Sequence, residues 1–142
     1  MMKNPVSAEV LAKLTAAAAE GRQAWKRGAI SAAESHFLDA WNALPDPKLE
    51  QDYAQSLSWG LTTFYKDTNQ FEKAKAWLDT VRRAYGPRPN DSVEFLAATV
   101  AFDSGDLEEA FRIFHQLFLK FGTRPFEGRD RKYLDFYDKR VE

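Results

Sequence analysis

One pattern recurs three times along this chain and restricts its fold more than any other feature. Ala33, Ala74 and Ala110 are each followed four residues later by a large apolar side chain, Phe37, Leu78 and Phe114. Three residues further on stand Ala40, Val81 and Leu117, and five beyond those stand Pro45, Gly86 and Gly122. Five residues before each alanine comes Gly28, Asn69 or Gly105. A spacing of four and then three marks one face of an α-helix. Glycine and asparagine ahead of it tolerate a left-handed turn, and proline or glycine behind it stops the helix. Each copy therefore reads as a tight turn and the second helix of a hairpin. A lone hairpin cannot bury its apolar face, so three copies in series are expected to stack on one another.

The start and stop signals place the remaining helices. Ser7 opens a first helix that runs through Leu11, Leu14, Ala18 and Trp25 to Arg27, where Gly28 ends it. Ser31 and Glu34 have the spacing of a capping box for the second helix, which carries Phe37, Leu38, Trp41 and Leu44. Asp46-Pro47 reads as an N-cap with proline in the first helical position, predicting a third helix from about Lys48 to Lys66. A fourth is expected over Gln70–Tyr85, a fifth from Asp91 (with Glu94 at the N3 position) to Asp103, and a sixth over Leu107–Phe121. Tyr133, Leu134, Phe136 and Tyr137 mark a seventh at about 128–140. No stretch alternates apolar and polar with a period of two, so the expected class is all-α in a single domain, 1–142, with hairpins at about 8–45, 47–87 and 91–122.

The hairpin pattern resembles the second half of the tetratricopeptide (TPR) motif, and the run Gly105–Phe114 (GDLEEAFRIF) is its best stretch. The first half is degenerate. Gly21, Thr62 and Ala98 hold the small-residue position, where two helices must approach closely, but only Tyr65 keeps the aromatic that follows, against Ala24 and Ala101. Ala17, Ser58 and Glu94 replace the usual tryptophan. The anchoring alanines lie 41 and 36 residues apart, against a family repeat of about 34, so the first link is lengthened by about two helical turns or the third helix is longer. The resemblance covers about Leu14 to Gly122. It implies a right-handed α-solenoid of three TPR-like hairpins, closed by a C-terminal capping helix, similar to small three-repeat bacterial-type TPR proteins.

It also implies a site. In such arrays the first helix of each pair lines a concave groove. The groove positions carry over to Ala18, Arg22 and Trp25, then Trp59, Thr63 and Lys66, then Phe95, Thr99 and Phe102. Four are aromatic and two basic, which suits an extended or helical peptide with apolar anchors and an acidic group. Aromatics at helical spacing also serve as core, and the capping helix of a short array can fold back over part of the groove. Trp41 and Trp77 lie on second helices and are expected to pack. The carboxylate-clamp positions of some family members hold Ala18, Arg22, Gly60, Ser92 and Leu96 here, of which only Arg22 suits a carboxylate. The expected function is a non-catalytic protein- or peptide-binding adaptor or assembly cofactor. The alternative is a structural subunit that self-associates, as a homodimer, through the same surface.

Little in the sequence supports chemistry. There is no cysteine, and the two histidines, His36 and His115, fall on different helices without ligand spacing, so no metal site or cofactor is expected. No phosphate-binding glycine loop or nucleophile elbow occurs. Glu108 and Glu109 are adjacent in a first helical turn, where they complement the helix dipole. A net charge of -1 offers no excess of cations for a phosphate backbone, which argues against nucleic acid. The tail Arg124–Arg140 mixes both signs with aromatics and reads as the capping helix. Glu9 and Lys13 interrupt the N-terminal apolar stretch, and no run is long enough to span a bilayer, so a cytoplasmic location without membrane insertion is the expectation.

Overall fold

A computed structural model describes residues 2–142. It is all-helical, with seven α-helices and no strand among the described residues. In order these are α1 (Ala8–Lys26), α2 (Ile30–Asn42), α3 (Ala54–Asp67), α4 (Phe71–Ala84), α5 (Asp91–Asp103), α6 (Leu107–Phe121) and α7 (Arg131–Val141). They pack as consecutive pairs, α1 on α2, α3 on α4 and α5 on α6. Sequential neighbours α2–α3, α4–α5 and α6–α7 join one pair to the next.

The repeated anchors do the packing expected of them. Ala33, Ala74 and Ala110 have no exposed surface, and Ala40, Val81 and Leu117 are buried with them. The turn positions Gly28, Asn69 and Gly105 all take positive φ, at 78°, 61° and 89°. Gly21 shows why the crossing must be small. A Cβ there would stand 2.6 Å from Cε1 of Phe37, closer than any real contact. That Phe37 ring also meets Phe64 of the next pair, at 5.2 Å between centroids. Phe114 repeats the role, touching Phe95 of its own pair at 5.3 Å and Tyr133 of α7 at 5.9 Å. Trp41 and Trp77 meet edge to face at 5.2 Å and tie α2 to α4.

Several helix ends depart from the sequence reading. The expected helix over Lys48–Lys66 is broken. Pro47 is extended (ψ 123°) behind a cis Asp46–Pro47 peptide, and only a 3-10 turn, Lys48–Glu50, follows. The α3 helix begins at Ala54, after Tyr53 in a left-handed conformation (φ 74°). The extra length between the first two repeats is therefore a linker. Its far side is clipped to the N-terminal segment: Asn4 N–H donates to Glu50 O and Asp52 N–H to Asn4 O, each at 2.7 Å. Lys3 adds a bond from its ammonium to Leu49 O at 2.6 Å.

The two expected acidic caps are also spent elsewhere. The α2 helix starts at Ile30 without a side-chain cap. Glu34 instead accepts from the Tyr65 hydroxyl at 2.7 Å and from Lys73 at 2.8 Å, joining α2 to α3 and α4. These donors hold its carboxyl below the usual range, the Lys73 bond first and the Tyr65 bond second. At α5 the cap is Asn90, whose Oδ1 accepts from Val93 N–H. Glu94 receives a two-pronged bond from Arg82 of α4, 3.1 Å on each arm. Interior glutamates expected to close their own helix ends thus fasten one helix pair to the next.

Candidate functional site

The face of α3 that carries Trp59, Thr63 and Lys66 looks across a cavity of about 430 Å³ toward Phe95, Thr99 and Asp103 of α5. The segment entering α7 forms its remaining wall with Arg129, Asp130, Lys132 and Tyr133. Five of the nine residues expected in the groove, Trp59, Thr63, Lys66, Phe95 and Thr99, therefore line one cavity, while Ala18 packs against the cluster around Leu14 and Ala40. A sixth, Phe102, borders an adjoining hollow of about 390 Å³ with Lys66, Asp103 and Lys132. Arg22 and Trp25 lie away from both. Arg22 is exposed. Trp25 is half-buried and stands edge-on to Phe64 at 5.1 Å and Phe37 at 6.2 Å, so it packs the joint between the first two pairs.

The aromatic groove surface expected on α5 is covered. Phe95 is 2% exposed, packed by Phe114, Phe126 and Tyr133. Thr99 is 5% exposed, and its hydroxyl donates to Leu96 O at 2.7 Å. Phe102 lies under Tyr133 and Phe136, with centroids 5.4 and 5.0 Å away. The cause is α7, which docks on α5 and α6 through Tyr133 and Tyr137, both buried. The signal was present in the sequence. From Val93 to Ala101 every residue except Glu94 is buried, because α5 is apolar on all faces, as an enclosed helix must be.

A compact polar network crosses the cavity's edge. Asp103, 15% exposed at its side chain, sits 3.5 Å from Lys66 Nζ and 3.5 Å from Lys132 Nζ. The Tyr133 hydroxyl donates to both its oxygens, at 3.2 and 3.3 Å. Lys66 also lies 3.4 Å from Asp67 and donates to the Tyr133 oxygen at 3.4 Å. Burial, and then the negative charge of Asp103, push the Tyr133 hydroxyl well above the ordinary tyrosine range. Helices α3, α5 and α7 are thereby latched by one carboxylate. Asp103 holds the place in the third repeat that Asp67 holds in the second, the α7 residues lie outside the repeat, and no local spacing marks either as a partner of Lys66.

Neither histidine joins this cavity. His115 Nδ1 is 2.8 Å from the Tyr137 hydroxyl, and its ring stacks on Phe111, so it fastens α6 to α7. Among the described residues no group of three or more His, Asp or Glu is placed to hold a metal ion. No described helix is long and apolar enough to cross a membrane. Compared with family models, with curated proteins and with solved structures, the chain gives no match in any of the three.

Proposed function

We propose that this chain is a non-catalytic helical-repeat scaffold of the TPR type, a right-handed array of three hairpins capped by α7, that binds a peptide segment of a partner protein. The observation that carries this reading is the cavity between α3 and α5, which offers the half-buried Trp59 ring beside Thr63 and the polar latch around Lys66. A pocket with one large aromatic wall and a few polar groups suits an inserted side chain. The degenerate TPR anchors and the tight crossing at Gly21 support the array. In this reading Arg22 lies at the open end of the groove, Trp25 serves packing, and the part nearest α7 is already filled by the chain itself. Such a scaffold acts as an adaptor or assembly cofactor in the cytoplasm.

A photo-crosslinking residue introduced at Thr63 tests it. It should trap a discrete partner in cells, whereas the same residue at Asp79, exposed on α4, should not. Equal trapping at both positions, or none at Thr63, would remove the groove from consideration.

A second reading, self-association, is supported by side chains outside the groove rather than by the groove surface itself. Leu119 is 71% exposed, and Phe121 and Val141 are 40% and 48% exposed. Light scattering across a concentration series decides it, since a constant monomer mass excludes a dimer held by these side chains.

A further inference from the structure

We infer that Arg129 is the carboxylate-recognition residue of the cavity, so that the bound segment pairs an Asp or Glu side chain with a bulky apolar side chain. This rests on the groove reading above and names the chemistry of its ligand.

The inference begins with the charges that line the cavity. Asp103 engages both Lys66 and Lys132. Asp67 is paired to Lys66. Asp130 caps α7, its Oδ1 accepting from Lys132 N–H at 3.0 Å. Among the described residues Arg129 alone of this set has neither ion pair nor side-chain hydrogen bond. Its guanidinium lies over the Phe95 ring at 4.9 Å. Lys66, one of the two basic residues of the expected groove, is already neutralised by two carboxylates.

Arg129 is also held in place. Phe126 before it is 5% exposed, wedged against Phe95 and Phe114 at 5.3 and 5.2 Å. Tyr133 after it is buried against Phe95. Gly128 takes φ 74° between these two anchors, a turn a side chain would strain. Stacking on an aromatic face leaves the edge donors of a guanidinium free, and those donors match a carboxylate in two-pronged fashion. Trp59 supplies the apolar wall of the same cavity. The lining thus offers one uncommitted cation and one large ring, which selects an acidic side chain close in sequence to an aromatic or long aliphatic one.

A display library of random twelve-residue peptides without free C-termini tests this against the full-length protein. Selected peptides should be enriched in Asp or Glu near Trp, Phe or Leu. A synthetic copy of the strongest, titrated calorimetrically, should bind Arg129→Gln about tenfold or more weakly, and Arg129→Lys in between. Replacing its acidic residue with the matching amide should weaken binding to wild type by a similar factor but leave Arg129→Gln unaffected. The guanidinium is at the surface, so Arg129→Gln should melt like wild type. Selection without acidic enrichment, or binding unchanged in Arg129→Gln, overturns the role of Arg129 and leaves the groove standing. Failure to select any peptide, or selected peptides that bind Trp59→Ala equally well, overturns the groove reading and this inference together.

Discussion

The first and third helix pairs carry the same anchors, yet their leading helices end in opposite surroundings. Of the 19 residues in α1 only Leu14, Gly21 and Ala24 are buried. Of the 13 in α5, eight are. The anchors on α2 and α6 set how each pair crosses, but they do not determine what lies on the other side of the leading helix. That depends on what packs there. On α5 it is α7, whose aromatic side chains fit against Phe95, Phe102 and Phe114. The comparison teaches that a repeat pattern reports the hairpin, while the polarity of the leading helix reports whether its outer face is surface or core.

Mutations at matched positions can break this contrast. The largest effect is expected at Phe114, which is fully buried among rings from α5 and α7. Phe114→Ala should cost about 3–5 kcal/mol in denaturant unfolding. Its counterpart Phe37 is only half-buried, so Phe37→Ala should cost distinctly less. Equal losses would show that the two ends are equally closed.

The crossing itself should behave in the reverse sense. Gly21→Ala puts a methyl group into the Phe37 ring, which Trp25 and Phe64 hold in place. The clash should outweigh the helix-propensity gain of about 1 kcal/mol and leave a net loss of about 1–2 kcal/mol. At the matched site of the third pair a methyl is already accommodated, so Ala98→Gly should also destabilise, by about 1 kcal/mol. A stabilising Gly21→Ala, read as a raised melting temperature, would show that the first crossing is looser than the structure has it.

Alkaline titration sharpens the contrast further. Burial raises Tyr65, Tyr85, Tyr133 and Tyr137 above the ordinary tyrosine value. Tyr65 and Tyr133 also face the carboxylates Glu34 and Asp103. The folded state therefore keeps protons that the unfolded chain releases near pH 10. Stability should be undiminished below pH 10 and fall as pH rises beyond it. Tyr133→Phe removes one such proton and should flatten that alkaline limb, at a cost of about 1 kcal/mol at neutral pH. A limb as steep as that of wild type would place the titrating proton elsewhere. The smallest effect is expected at Arg22, which is exposed and makes no ion pair among the described residues. Arg22→Ala should change the unfolding free energy by less than about 0.5 kcal/mol.

The helical class, the three pairs and the bounds of α6 were legible because they rest on local signals. A period of 3.6, a residue that accepts positive φ and a stop fit within one element. The linker was misread because Asp46-Pro47 has two local meanings. The same dipeptide opens a helix or extends the chain, and here the extended linker is bonded at Glu50 and Asp52 to Asn4, over forty residues away in sequence. Ser31 and Glu34 failed as a box for a related reason, since Tyr65 and Lys73 compete for the same carboxylate. The site was half legible. Repeat positions placed Trp59, Thr63 and Lys66 on one face, but Arg129 belongs to no repeat position, and Asp103, the repeat counterpart of Asp67, meets Lys66 only through tertiary packing. Arg129, Lys132 and Tyr133 reach the cavity only from the segment that leads into α7 and from its first turn.

The clip between Asn4 and the linker carries a mechanical consequence. Residues ahead of α1 are bonded through their backbone to Glu50 and Asp52, on the far side of the first helix pair. Tension drawn through the chain from that end reaches the linker before it reaches α1. Three short hydrogen bonds, the two of Asn4 and that of Lys3, stand in the load path ahead of α1. Pulling there is expected to load the joint between the first and second helix pairs ahead of the helices themselves.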